Sequence, residues 1–282
     1  MARKVSPEEE LRGRDGKACQ PSVGPLKPVS ARRIARRMSK PSEVEDGVAP
    51  AAAAPDCPQC HKPLPLCVCD GVTPIESRIE LLILQHPQEQ DRTLGTARLA
   101  AMHFEKAVLK IGLSWPSLAR ALGRTVADPS RWAVLYLGSA KAADLETTAE
   151  VVAINRKGEL AENQRSILRG IEGVVLLDGS WSQAKALWWR NPWMLKCQRL
   201  ILGPSHPSRY GKLRREPRRD GLSTIEAAGL VLSRLEGRPD IAETLNSSFM
   251  QMLKRYREVL EELPSLAPKP RPRRDFRRRR KS

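Results

Sequence analysis

The chain has 282 residues, 49 Lys and Arg against 32 Asp and Glu, a formal net charge of +17, and six cysteines. That length suits one sizeable domain with tails, or two small domains. No stretch approaches the roughly 18 consecutive apolar residues of a membrane span. No apolar segment follows the first charges, so neither a membrane partner nor a secretory leader is expected.

The basicity lies at the two ends. Residues 1–40 carry a net +7 and residues 264–282 a net +8, which leaves only +2 for residues 41–263. Basic arms fit a polyanionic partner, most simply nucleic acid, through phosphate neutralisation. A solubilising or targeting tail is the alternative, and Arg277–Lys281 reads equally as a nuclear signal if the source is eukaryotic. Cysteine usage points to a reducing compartment, with the cytoplasm as the expected location.

Residues 1–55 read as a disordered basic extension that ends in an Ala/Pro linker, with a short basic helix over Ser30–Met38 as an option. Residues 56–72 form a cysteine knuckle, and 73–263 an α/β domain. In chain order the domain predicts a strand over Ile79–Leu84, a helix over Thr93–Glu105, a strand over Val108–Ile111 and a helix over Pro116–Leu122. Strands Trp132–Leu137 and Val151–Ile154, the helix Gln164–Arg169 and the strand Val174–Leu177 follow. Helix Trp181–Arg190, strand Arg199–Leu202, an irregular stretch Gly203–Gly221, and helices Ser223–Leu235 and Ile241–Leu263 complete it. Strands alternating with helices predict an α/β fold with a mostly parallel sheet covered on both faces. Residues 264–282 read as a second disordered basic tail.

Four cysteines, Cys57, Cys60, Cys67 and Cys69, crowd into thirteen residues with the spacing C-x2-C-x6-C-x-C. Four thiolates so close suit a tetrahedral structural Zn²⁺ with no position left for water. An iron–sulfur cluster is a lesser option, and His61 is a possible substitute for one thiolate. Cys197 reads as packed beside a strand.

His86-Pro87-Gln88-Glu89 follows the first strand. Glu89 is a loop acid able to accept from an amino group, while His86 suits a structural role equally well. The helix after Thr93 offers an N-terminus to an anion.

Asp178 ends the apolar run Val174–Leu177 and precedes Gly179, the N-cap candidate Ser180 and a helix rich in tryptophan. Open α/β sheets place ligands at this position. Asp178 is therefore the candidate general base or cation holder, and Trp181 the candidate stacking or cation–π residue. Trp188, Trp189 and Trp193 read as core or as an RNA platform. Arg209, Tyr210, Lys212, Arg214 and Arg215 form a basic loop suited to phosphates and one stacked base. Ser223 with Glu226 fits a capping box.

These segments together resemble the DTW-domain family. The carriers are Cys57–Cys69, His86–Ala100, the motif Asp178-Gly179-Ser180-Trp181, and Ser208–Pro217 with Leu222–Ala227, in the family's order across about residues 57–235. Gly95, in Gly95-Thr96-Ala97-Arg98, stands where many members carry Asn. The resemblance implies a tRNA-uridine aminocarboxypropyltransferase using S-adenosylmethionine, with kinship to the knotted SPOUT methyltransferases. It implies a cofactor site lined by Glu89, Thr96, Asp178, Ser180, Ser223, Thr224 and Glu226. An RNA methyltransferase using the same cofactor and a non-enzymatic zinc- and arginine-based RNA-binding protein remain the competing functions. No stable protein partner is evident.

Overall fold

Short apolar runs become the strands, and the inner strands of a mostly parallel sheet are buried on both faces. The computed structural model describes residues 55–135, 150–203, 207–211, 213 and 221–262. Its strands are β1 (Glu80–Gln85), β2 (Ala107–Ile111), β3 (Trp132–Leu135), β4 (Val151–Ile154), β5 (Gly173–Asp178) and β6 (Gln198–Leu202). Its helices are α1 (Ala97–Met102), α2 (Leu118–Leu122), α3 (Gln164–Gly170), α4 (Trp181–Arg190), α5 (Thr224–Glu236) and α6 (Pro239–Glu262).

The six strands pair in the order β2-β1-β5-β3-β6-β4. All pairs are parallel except β4 with β6. Alternate residues of each strand feed two cores. Leu81 and Ile83 of β1 with Val174 and Leu176 of β5 join side chains of α1, α5 and α6. Leu82, Leu84 and Val175 face the other way, onto Leu118 and Leu122 of α2 and onto Trp193 and Met194. The sheet is thus covered on both faces, as its composition predicts. Gly173, where β5 begins, has no room for a side chain: a Cβ there would lie 2.5 Å from the Trp132 ring.

The knuckle is tied to the domain rather than hung from it. Leu66 and Val68 are buried in the core shared with α6, and Asp70 pairs with Arg255 of α6 at 3.5 Å.

The predicted helix over Thr93–Glu105 is shorter than expected. Thr93 and Leu94 form a turn, Gly95 and Thr96 are irregular, and α1 runs only over Ala97–Met102. The reason is tertiary, since the Thr93 and Gly95 carbonyls are held by a lysine some thirty residues upstream. The predicted strand Trp132–Leu137 is seen over its first four residues, and 136–137 lie outside the described residues. The optional helix Ser30–Met38, most of the irregular stretch 203–221 and the tail 264–282 also lie outside them.

Candidate active site

β1 and β5 are neighbours in parallel register, which sets Gln85 beside Asp178 at their C-terminal ends. Asp178 is half-buried. Its Oδ2 accepts from Gln85 Nε2 at 2.8 Å, and its Oδ1 accepts from the Thr224 hydroxyl. Its backbone carbonyl accepts from the His86 N–H at 2.9 Å. The two side-chain donors fix the carboxylate's orientation and leave further lone pairs on each oxygen. Gln85 is 3% exposed, and its Oε1 has no partner among the described residues.

Sequence reading missed Gln85. The available signal was a polar residue closing an otherwise apolar buried strand.

The turn after Asp178 is close-packed. A Cβ on Gly179 would lie 2.9 Å from Gln183 Cβ and 3.4 Å from His86 Cβ, so the motif needs glycine here. The Ser180 N–H donates to Gln183 Oε1 at 2.6 Å, capping α4. Gln183 Nε2 donates to Gln88 Oε1 at 3.1 Å, which ties the turn after β1 to the turn after β5. His86 serves the same turn, its Nδ1 accepting from the Gln88 N–H at 3.3 Å.

On the opposite side stands the N-terminus of α5. Ser223 and Glu226 form the capping box that the sequence predicts. Glu226 is 4% exposed and does more than cap. Its Oε2 accepts from the Ser223 N–H at 2.9 Å, the Ser223 hydroxyl at 2.6 Å and the Ser208 hydroxyl at 2.7 Å. Its Oε1 accepts from the Arg209 N–H at 2.8 Å. Glu226 therefore pins the Ser208–Arg209 segment to α5, and its oxygens are already engaged by the protein. Thr96 is buried, and its hydroxyl accepts from the Ile225 N–H at 3.3 Å. Of the residues expected around a cofactor, Asp178, Thr224, Ser223, Glu226 and Thr96 form one connected cluster. Ser180 adjoins it through the motif.

The knuckle brings Cys57, Cys60, Cys67 and Cys69 together, with their sulfurs all within 4.8 Å of one another. Cys57 and Cys69 Sγ are 3.9 Å apart, near the roughly 3.8 Å edge of a tetrahedron with metal–sulfur bonds of about 2.3 Å. The donor set thus fits a tetrahedral ion. Hydrogen bonding from the Cys60 backbone brings the Cys57 thiol down to about 7, while burial pushes the Cys60 and Cys69 thiols up. A bound cation is what lets four such thiols ionise together. His61 is exposed and outside this cluster, so it does not replace a thiolate; it holds a left-handed turn at φ 56°.

Lys62, next in the chain, is 6% exposed and passes unnoticed in the sequence. Its ammonium donates to the Thr93 carbonyl at 2.6 Å and the Gly95 carbonyl at 2.8 Å. Burial pushes it down to about 8. It joins the knuckle to the loop that carries Thr96.

Tyr210 corrects an expectation. It is 1% exposed, donates its hydroxyl to the Leu94 carbonyl at 2.6 Å and meets Phe249 edge-on at 4.9 Å. A ring so placed anchors the loop and has no face to offer an RNA base. Arg209 is exposed, with Nε donating to Asn246 Oδ1 at 3.3 Å. Lys212, Arg214 and Arg215 lie outside the described residues. Glu89 is 6% exposed and faces Arg92 at 3.7 Å. Trp181 is half-buried at the start of α4. Trp193 is core, Trp188 packs under the Arg199 guanidinium at 5.5 Å, and Trp189 is 79% exposed. Cys197 is buried, and burial pushes its thiol up to about 12.

A mostly parallel α/β sheet with a held acid at the end of a central strand, backed by a knuckle of four clustered cysteines, defines the class as an α/β domain with a small cysteine module built into it. The DTW domain matches residues 54–257, and the chain belongs to the DTW-domain family. It is 31% identical over 202 residues to the tRNA-uridine aminocarboxypropyltransferase 2 of Macaca fascicularis, covering 70% of this chain and 62% of that protein. It is 31% identical over 199 residues to the Mus musculus protein of the same name, covering 69% and 61%. The Drosophila melanogaster protein of that name is 30% identical over 193 residues, covering 67% and 70%. The chain therefore spans little more than three-fifths of the two mammalian relatives. No solved structure matches.

Proposed function

We propose that this protein transfers the 3-amino-3-carboxypropyl group of S-adenosylmethionine to N3 of a uridine in tRNA and releases 5′-methylthioadenosine. The reading rests on the name its relatives carry and on one feature of the site. Asp178 ends a central strand with its orientation fixed by Gln85 and Thr224 and lone pairs to spare. S-adenosylmethionine, when bound, supplies a γ-carbon activated by the adjacent sulfonium.

Asp178 takes the N3 proton of the uridine. The freed nitrogen electron pair forms the bond to the γ-carbon, and the carbon–sulfur bond breaks with its electrons left on sulfur. Trp181 supports the site through its ring. Thr224 and Gln85 hold Asp178 in register. Ser180, Ser223 and Thr96 shape the walls, while Glu226 acts from behind by fixing the Ser208–Arg209 segment. The knuckle cysteines hold a structural Zn²⁺. Reduced thiols of this kind fit action in the cytoplasm.

The test is a product assay with purified protein, unmodified tRNA and S-adenosylmethionine. Methylthioadenosine together with a carboxypropylated uridine supports the proposal. S-adenosylhomocysteine would make the protein a methyltransferase, and tRNA binding with neither product would make it a binding protein.

A further inference from the structure

Trp189 is the most exposed large apolar side chain among the described residues, at 79%. Leaving such a ring in water forgoes the free energy of its burial, so its surroundings matter. The charges nearest it in the chain are cationic: from Gly179 to Leu202 there are four Lys and Arg and no Asp or Glu. Within that span Ser182, Lys185 and Trp189 are exposed on α4 at spacings of three and four, which places them on one helix face. Arg190, the last residue of the helix, and Lys196 beyond it are also exposed cations, with Leu195 49% exposed between them. The same helix begins one residue after Gly179-Ser180, so this face runs outward from Asp178. Eight residues at 1.5 Å each put Trp189 about 12 Å along the helix axis from Trp181.

An exposed ring with only cations beside it in sequence suits a strand of nucleic acid, whose bases stack on the ring while its phosphates meet the cations. An apolar protein partner would gain nothing from the unbroken run of positive charge. We propose that the outer face of α4 is a docking track for the tRNA substrate, on which Trp189 stacks one unpaired base and Lys185 meets a phosphate. This rests on the tRNA reading above and adds to it where the strand leaves the site.

The test is tRNA binding by the full chain, read by fluorescence anisotropy with unmodified tRNA across a salt series. Trp189→Ala should weaken binding about 10-fold, as the loss of one stacked base does. Trp189→Phe should keep most of the affinity, and S-adenosylmethionine binding should be unchanged in both. Lys185→Ala should lower the slope of log affinity against log salt by about one. Wild-type tRNA binding that Trp189→Ala leaves unaltered overturns the track while sparing the proposed activity. Self-association of the wild type that Trp189→Ala abolishes, with tRNA affinity unmoved, would assign the face to a second copy instead. No tRNA binding by the wild type would overturn both readings.

Discussion

Glu226 offers the sharpest test of how the site is braced. One carboxylate accepts four hydrogen bonds, two from Ser223 and one each from Ser208 and Arg209. Bonds to a charged acceptor are worth roughly 1.5–3 kcal/mol each when the donor cannot otherwise be solvated. Ser223 is buried, whereas Arg209 is exposed and its N–H can be taken over by water. Discounting the exposed donor, and since such bonds do not add, Glu226→Ala should cost about 3–4 kcal/mol. At roughly 2–4 °C per kcal/mol for a domain of this size, the midpoint should drop by about 10 °C.

Glu226→Gln keeps an acceptor where Oε2 stands and turns its NH₂ toward the Arg209 N–H. That change should cost about 1–2 kcal/mol. Differential scanning calorimetry reads both variants, and a cycle with Ser208→Ala should give a coupling above about 0.5 kcal/mol. A midpoint for Glu226→Ala within a degree of wild type would refute the bracing role. Equal losses for Ala and Gln would show that charge, not the four-bond geometry, matters.

Asp178→Asn should lower turnover by about 10²–10⁴-fold with tRNA affinity intact. Thr224→Val, which removes only the donor to Oδ1, should lower it less, and Thr224→Ser should restore it; an inert Thr224→Val would remove the hydroxyl from the account. Metal analysis should find one zinc per chain, and chelation should lower both the melting midpoint and activity, because Lys62 couples the knuckle to the Thr93–Gly95 loop. Full stability and activity in a zinc-free protein would contradict this. His103 is fully buried, and burial holds its ring below the usual histidine range. Its neutral form is therefore the one folding favours. That stability is complete above about pH 6.5 and is lost as the pH falls below it. Urea unfolding between pH 7 and 5 should show a loss that His103→Asn flattens.

The strands were legible because their apolar runs are short and bounded, and α4 because Ser180 announces its start. The contacts that shorten the helix after Thr93 were not, since Lys62 reaches those carbonyls from a distant segment and nothing local marks it. Asp178 stood out by position at a strand end. Its partners Gln85 and Thr224 depend on strand register and on where α5 begins, which only the fold sets. The Ser223–Glu226 box was plain in the sequence, yet its grip on Ser208 and Arg209 was invisible. Tyr210 misled because an aromatic among arginines looks like a nucleic-acid residue, while Phe249 and the Leu94 carbonyl that bury it lie far off in the chain.

The most direct test of the central claim follows atoms from donor to tRNA. Two S-adenosylmethionine preparations would be used, one labelled in the carboxyl carbon and one in the S-methyl group, each with wild-type protein and unmodified tRNA. Carboxyl label in the tRNA, with methyl label leaving in methylthioadenosine, is the predicted result. Methyl label in the tRNA would contradict it and place the attack on the methyl carbon.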